Sequence, residues 1–159
     1  MKPDTDLLNA LTARRAEPRD LSAMLALLAD DELGRNRDLA ASADDPVYAD
    51  AFIRISGDRN QCLLLAELAD EVVAMLQITF IPGLSRRGAW RAQIEAVRVR
   101  RALRGQGIGG WLMGEAIAIA RVRGCALVQL TSDLQRPAAH AFYQRLGFDQ
   151  SHAGFKLKL

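Results

Sequence analysis

A chain of 159 residues, half of them hydrophobic and a quarter charged, is long enough to bury one core and too short for two domains of ordinary size. Its formal net charge of +2 excludes the broad positive field of a duplex-binding protein, and no apolar run approaches the roughly 18 residues that a membrane-spanning helix needs. The opening Met-Lys-Pro-Asp-Thr-Asp has no signal-peptide core, and Cys62 and Cys125, in apolar strand-like runs, read as buried free thiols. The expectation is a soluble cytoplasmic protein with neither nucleic-acid nor membrane partners.

In chain order, residues 1–10 read as a loose lead-in and 11–159 as a single domain. A short strand at about Leu11–Ala16 is followed by Pro18 and Asp20, which start helices, and by Leu21, Met24, Leu25 and Leu28 at helical spacing. The polar stretch 30–45 is ambiguous, and a second helix runs from Pro46 through Tyr48, Phe52 and Ile55 to Gly57. A hairpin comes next: Cys62–Glu67, a tight turn at Ala69 and Asp70, then Val72–Phe80. Pro82, Gly83 and Gly88 mark a loop, after which Trp90–Val99 alternates as another strand. Ile108, Leu112, Ala116 and Ile119 give one apolar face to a helix that stops at Gly124. Ala126–Thr131 is apolar enough for a central strand buried on both faces. Pro137 opens a short helix, closed by Gly147, whose Ala138, Phe142 and Leu146 share a face. Phe155, Leu157 and Leu159 then alternate with Lys156 and Lys158 as a half-exposed strand. The sum is a mixed α/β (α+β) fold: a mostly antiparallel sheet flanked by helices.

Between the Trp90–Val99 strand and the helix after it lies Arg-Arg-Ala-Leu-Arg-Gly-Gln-Gly-Ile-Gly-Gly, Arg100 to Gly110. Such a turn presents bare backbone N–H groups at a helix N-terminus, where the peptide dipoles favour an anion such as phosphate. A nucleoside triphosphate loop would end in Gly-Lys-Ser/Thr, whereas Gly109 is followed by Gly110 and Trp111. A dinucleotide fingerprint would sit in an early βαβ unit, whereas this turn follows a hairpin past the middle of the chain.

Arg104-Gly105-Gln106-Gly107-Ile108-Gly109 resembles the Arg/Gln-x-x-Gly-x-Gly/Ala signature of the GCN5-related N-acetyltransferases, and Ala141-Phe142-Tyr143-Gln144-Arg145-Leu146-Gly147-Phe148 resembles that family's second signature, a helix ending in Phe-Tyr-x-x-x-Gly-Phe. The order of elements from Leu11 to Leu159 follows the family too. The resemblance implies the acyl-CoA N-acyltransferase fold and acetyl-coenzyme A as co-substrate, with no metal. It puts the coenzyme's diphosphate on the N–H groups of Arg104, Gly105, Gln106, Gly107, Ile108, Gly109 and Gly110, and its pantetheine arm against Val97, Arg98 and Val99. Many relatives carry an asparagine where this chain has Arg136, which could reach a phosphate or the acceptor's anion.

The implied chemistry is acetyl transfer to an amine, which must be neutral to attack a thioester. Glu95, where many relatives carry a catalytic glutamate, is the candidate base through a water, or else an anchor for the amine. Tyr143 is the candidate acid or hydrogen-bond donor to the departing thiolate. His140, one turn before Tyr143, reads as a structural hydrogen-bonding residue or a proton relay, and neither it nor His152 has partners at zinc-ligand spacing. Family acceptor sites draw on the early helices and the loop before the Glu95 strand, which points to Tyr48, Phe52, Ser85, Arg86, Arg87, Trp90 and Arg91. The segment from Leu130 to His152 also resembles the end of bacterial aminoalkylphosphonate N-acetyltransferases. That likeness and arginines able to grip an anion favour a small amine bearing a phosphonate or carboxylate, although Arg86 and Arg87 read equally well as a solvated loop. A protein or peptide acceptor, and a coenzyme-binding module without catalysis, are the alternatives. A homodimer is common for such folds.

Overall fold

The computed structural model describes residues 5–30 and 45–159; the ambiguous polar stretch lies, apart from its two ends, outside them. Five strands form one sheet in chain order: β1 (Thr12–Arg15), β2 (Gln61–Leu68), β3 (Glu71–Ile81), β4 (Trp90–Val99) and β5 (Cys125–Leu130). The first four make an antiparallel meander, and β5 joins β4 in parallel. A parallel neighbour requires a crossover, supplied by α5 (Ile108–Val122). With α6 (Pro137–Arg145) and the short α1 (Thr5–Asn9), α5 packs on one face, while α2 (Leu21–Ala29) and α3 (Pro46–Ser56) pack on the other. A last helical turn, α4 (Ser85–Gly88), lies between β3 and β4.

Strand alternation sorts the core. Cys62, Leu64, Leu76, Ile78, Phe80, Ala92 and Ile94 meet Ile108, Leu112, Met113 and Ala116 of α5, whereas Leu63, Leu65 and Met75 meet Met24, Leu27 and Phe52. Because both faces of the middle strands are covered, Leu63–Ala66 and Val73–Leu76 are unbroken apolar runs. Ala69 (φ 49°) and Asp70 (φ 63°) close the β2–β3 hairpin with two left-handed residues, the turn whose twist matches that of the strands. Asp45 caps α3 by accepting from the Val47 N–H at 3.0 Å, with Pro46 in the first turn. Gly124 (φ 78°) and Gly147 (φ 89°) stand just past the ends of α5 and α6.

Arg14 on β1 ties three elements together. It donates to both carboxylate oxygens of Asp20, at 2.6 and 2.8 Å, and to Glu67 at 2.5 Å. These hydrogen bonds hold the Asp20 and Glu67 carboxyls below their usual range.

Three expectations change. Residues 149–159 have no regular structure and are exposed, including Phe155, Leu157 and Leu159, so the C-terminal strand is absent. A period-two pattern shows that a segment is able to pair and says nothing of whether an edge lies within reach. For the same reason β5 is the last strand of the sheet and half-buried, where its apolar composition suggested a central strand. Within the lead-in, Thr5–Asn9 is helical because Leu7 and Leu8 pack against the core beside the buried Leu11. Both cysteines are free, Cys62 buried and Cys125 half-buried, with thiols pushed up by burial. No helix among the described residues is long and apolar enough to cross a membrane.

Candidate active site

The site is organised by an irregularity in β4. Gln77 faces Glu95 and Met75 faces Arg98, so β4 spends one residue more than β3 over this interval. The extra residue is accommodated at Ala96, whose φ of 52° is left-handed, a conformation that costs a non-glycine residue about 1–3 kcal/mol and persists where surrounding structure holds it. Pairing with β5 stops at Ile94 and Leu130, although β4 continues to Val99. The stretch 95–99 therefore has no strand on its outer side among the described residues. The backbone edge of Val97, Arg98 and Val99 borders a split between β4 and β5 that can receive an extended ligand arm.

At the end of the split stands the glycine turn. Gly105 (φ 81°) and Gly107 (φ 94°) take conformations that side chains disfavour, and Gly107 directly precedes the first turn of α5. The N–H of Arg104 donates to Arg101 O and that of Trp111 to Gly107 O, but the six amides from Gly105 through Gly110 donate to no carbonyl of the described residues. These are free donors at the positive end of a 15-residue helix, a cradle that fits a diphosphate. The Ile108 side chain is buried in the core, leaving only its amide for a ligand, and Gln106 donates to Ala102 O at 3.3 Å. A Cβ on Gly109 would lie 3.5 Å from Phe142 and Val99, and one on Gly110 3.8 Å from Leu146. Those two glycines therefore serve the packing of α5 on α6 and β4 more than a dihedral requirement.

The Arg104 side chain is engaged by the protein itself. Its Nε donates to Val99 O at 3.0 Å and its Nη2 to Asp30 O at 2.9 Å, while the Asp30 carboxylate accepts from the Arg101 N–H at 2.8 Å and Nε at 3.1 Å. Arg104 and Asp30 thus clamp the turn between the end of β4 and the end of α2. The Asp30 carboxyl is held below its usual range, chiefly by the Arg101 N–H, with the charges of Arg104 and Arg101 adding to it.

Tyr143 packs on the α5 face, edge-on to Phe142 (centroids 5.1 Å apart) and Phe148 (6.0 Å). Burial pushes its phenol above the ordinary value, against the opposing charges of Arg98 and Arg136. The group is therefore a neutral proton donor throughout the physiological range, with two cations close enough to act on it. His140 donates from Nε2 to Asp133 O at 2.8 Å, which makes it a brace of the β5–α6 loop.

Glu95 is exposed and lies on the opposite face: it alternates away from Ile94, which is buried under α5. Base and acid candidates thus flank the sheet from two sides, with the split between them. Arg91 shares the Glu95 face, and its buried Nε has no hydrogen-bond partner among the described residues. Trp90 does not share it. It packs on the α5 face beneath the Arg123 guanidinium, 5.7 Å from the ring centroid, because neighbours along a strand point to opposite faces. Tyr48 sits one turn before the buried Phe52 on α3, and Arg86 and Arg87 are exposed on α4 with left-handed backbones (φ 53° and 60°). The sequence reading missed Gln93 and Gln129, whose side chains meet on the Glu95 face at 2.7 Å. No pattern within either strand tells that the two strands are neighbours.

Comparison with known proteins agrees with this geometry. The family model described as Acetyltransferase (GNAT) family matches residues 22–148. The chain is similar to an aminoalkylphosphonate N-acetyltransferase of Salmonella typhimurium, 31% identical over 155 residues covering 98% of this chain and 96% of that protein. Among solved structures it is similar to a Bacillus halodurans C-125 protein called a transcriptional regulator (TM-score 0.90, 48% identity, 94% of this chain and 99% of that one). It is also similar to an acetyltransferase of Trypanosoma brucei (TM-score 0.74, 25% identity, 94% and 99%). The chain belongs to the GNAT family of acetyltransferases, enzymes whose co-substrate is acetyl-coenzyme A.

Proposed function

We propose that the enzyme acetylates the primary amine of a small metabolite bearing an anionic group, by direct attack while coenzyme and amine are bound together. The observation that carries the proposal is the split beside the Ala96 bulge, with Glu95 on one face of the sheet and Tyr143 on the other. The relative from Salmonella typhimurium named for aminoalkylphosphonates supports the acceptor class.

Acetyl-coenzyme A, when bound, supplies an activated thioester carbonyl. The amides of Gly105 to Gly110 would hold its diphosphate, and the β4 edge at Val97 to Val99 its pantetheine arm. Glu95, through a water, takes a proton from the incoming ammonium, leaving a lone pair for the carbonyl carbon. As the N–C bond forms and the C–S bond breaks, the nitrogen releases its second proton to solvent, and the Tyr143 hydroxyl gives a hydrogen bond to the departing thiolate, or its proton, which the phenolate then regains from solvent. Raised by burial, the phenol transfers a proton outright less readily than an ordinary one, so stabilisation by hydrogen bonding is the larger share of its work. Arg98 and Arg136 favour negative charge at that oxygen or at the sulfur beside it.

A second reading is a module that binds the coenzyme without turnover, favoured by the likeness to the Bacillus halodurans protein called a regulator. Thiol release measured against aminoalkylphosphonates, amino acids, polyamines and lysine peptides separates them. Turnover on small anionic amines supports the proposal, turnover on peptides alone shifts the acceptor to protein, and coenzyme binding with no turnover on any amine establishes the module.

A further inference from the structure

The face of the sheet that α2 and α3 cover is apolar at one end and polar at the other. Under the helices stand Leu63, Leu65 and Met75. Further along, strand register places Gln61, Thr79, Gln93 and Gln129 in a row across β2, β3, β4 and β5. The row is hydrogen-bonded: Thr79 Oγ1 donates to Gln61 Oε1 at 2.9 Å, and Gln129 Nε2 donates to Gln93 Oε1 at 2.7 Å. Each of the four is half-buried. A sheet face needed only for packing would carry β-branched or aromatic residues. Three amides and a hydroxyl spread over four strands beside the split instead form a floor for a polar ligand.

The hydrogen bonds give this floor a direction. With its oxygen engaged by Gln129, Gln93 has both N–H donors of Nε2 to offer. Two residues earlier on the same face stands Arg91, whose buried Nε has no partner among the described residues, and a buried donor left unpaired is costly until a ligand relieves it. Two residues later stands Glu95. One strand face therefore reads guanidinium, amide donor, carboxylate, with the outer two Cα atoms about 13 Å apart at the usual strand rise. Long side chains narrow that span, and a chain of a few carbons with an amine at one end and an anion at the other fits the remainder.

We infer that Arg91 and Gln93 bind the anionic group of the acceptor, so that the enzyme selects short ω-amino phosphonates or carboxylates by charge and length. This rests on the acetyltransferase reading of the same site. The phosphonate and the carboxylate share the chemistry and are separated by the test.

The test compares wild type with Arg91→Met and Gln93→Met, which keep side-chain bulk. Acceptors are a 2- or 3-carbon aminoalkylphosphonate, the matching amino acid and the matching amino alcohol, which lacks the anion. The expected result is a KM for the anionic acceptors raised about 10-fold or more in both variants, with kcat, the KM for acetyl-coenzyme A and kinetics on the amino alcohol within about 2-fold. Arg91→Lys restores charge without the planar fork and recovers part of the loss. The larger KM change between phosphonate and carboxylate names the preferred anion. An unchanged ratio of anionic to neutral acceptor in both methionine variants overturns the inference while leaving the acetyltransferase reading intact. Calorimetric binding of the same phosphonate and carboxylate to the coenzyme complex reads the site independently of turnover. Loss of binding in the variants upholds the inference even if no amine turns over, and no binding of either anion by wild type overturns it.

Discussion

The two ends of β4 are built from different parts of the chain's chemistry and left different traces in the sequence. Toward Val99 the strand runs into the proposed coenzyme side, built from backbone: amides at Gly105 to Gly110 that donate to no carbonyl of the described residues, a stretch of β4 with no outer strand neighbour among them, and glycines at φ 81° and 94°. Toward Arg91 lies the proposed acceptor side, built from side chains that register gathers from neighbouring strands. Backbone chemistry constrains residue type locally, because only glycine takes a left-handed turn at little cost. Side-chain chemistry assembled across strands leaves each strand looking ordinary. The comparison predicts that changes on the first side act on coenzyme affinity, and changes on the second on the acceptor and the rate.

The largest effect belongs to Gly107→Glu, which puts a side chain at φ 94° and a negative charge at the helix N-terminus. Coenzyme affinity measured by calorimetry should fall by about 100-fold or more; wild-type affinity would break the backbone half of the comparison. Gly109→Ala sharpens it, since the new Cβ meets ordinary contacts at 3.5 Å and affinity should change by less than about 3-fold. If the hydroxyl acts on the leaving sulfur as proposed, Tyr143→Phe should lower kcat by about 100-fold with coenzyme affinity nearly unchanged, since the ring packing with Phe142 and Phe148 remains. Glu95→Gln should lower kcat/KM by about 10- to 100-fold near neutral pH. That loss should shrink as pH rises toward the amine's own pKa, where solvent supplies the free base. A pH-independent loss would make Glu95 an anchor for the amine.

The smallest effect concerns stability alone. Asp20 and Glu67 have carboxyls held below their usual range by Arg14, so their contribution is full above the ordinary carboxylate values and is lost as pH falls through the lowered ones. Arg14→Met should lower the melting temperature by a few degrees at neutral pH and by less in acid, with coenzyme affinity unaffected.

The glycine turn and the start of the helix after it stand where the sequence placed them, and the helix boundaries at Pro46, Gly124 and Gly147 stand where punctuation put them. The left-handed bulge at Ala96 was invisible, since alanine is an ordinary strand residue and the strain is stored in the conformation. Arg104 was legible as a member of the turn, but its role as a clamp depended on Asp30, 74 residues away. Trp90 stands on the α5 face, opposite Arg91 and Glu95, because nearness in sequence does not give parity along a strand. The Phe155–Leu159 alternation was a true pattern without a neighbour to pair with.

In the proposed mechanism the split beside Ala96 passes the thioester from the Tyr143 face to the Glu95 face. A crystal structure with coenzyme A tests it most directly. The expected result is the diphosphate on the amides of Gly105 to Gly110 and the sulfur within hydrogen-bonding reach of the Tyr143 hydroxyl at the mouth of the split. A coenzyme bound elsewhere, or those amides donating to the protein's own carbonyls while the sulfur lies away from Tyr143, would contradict it.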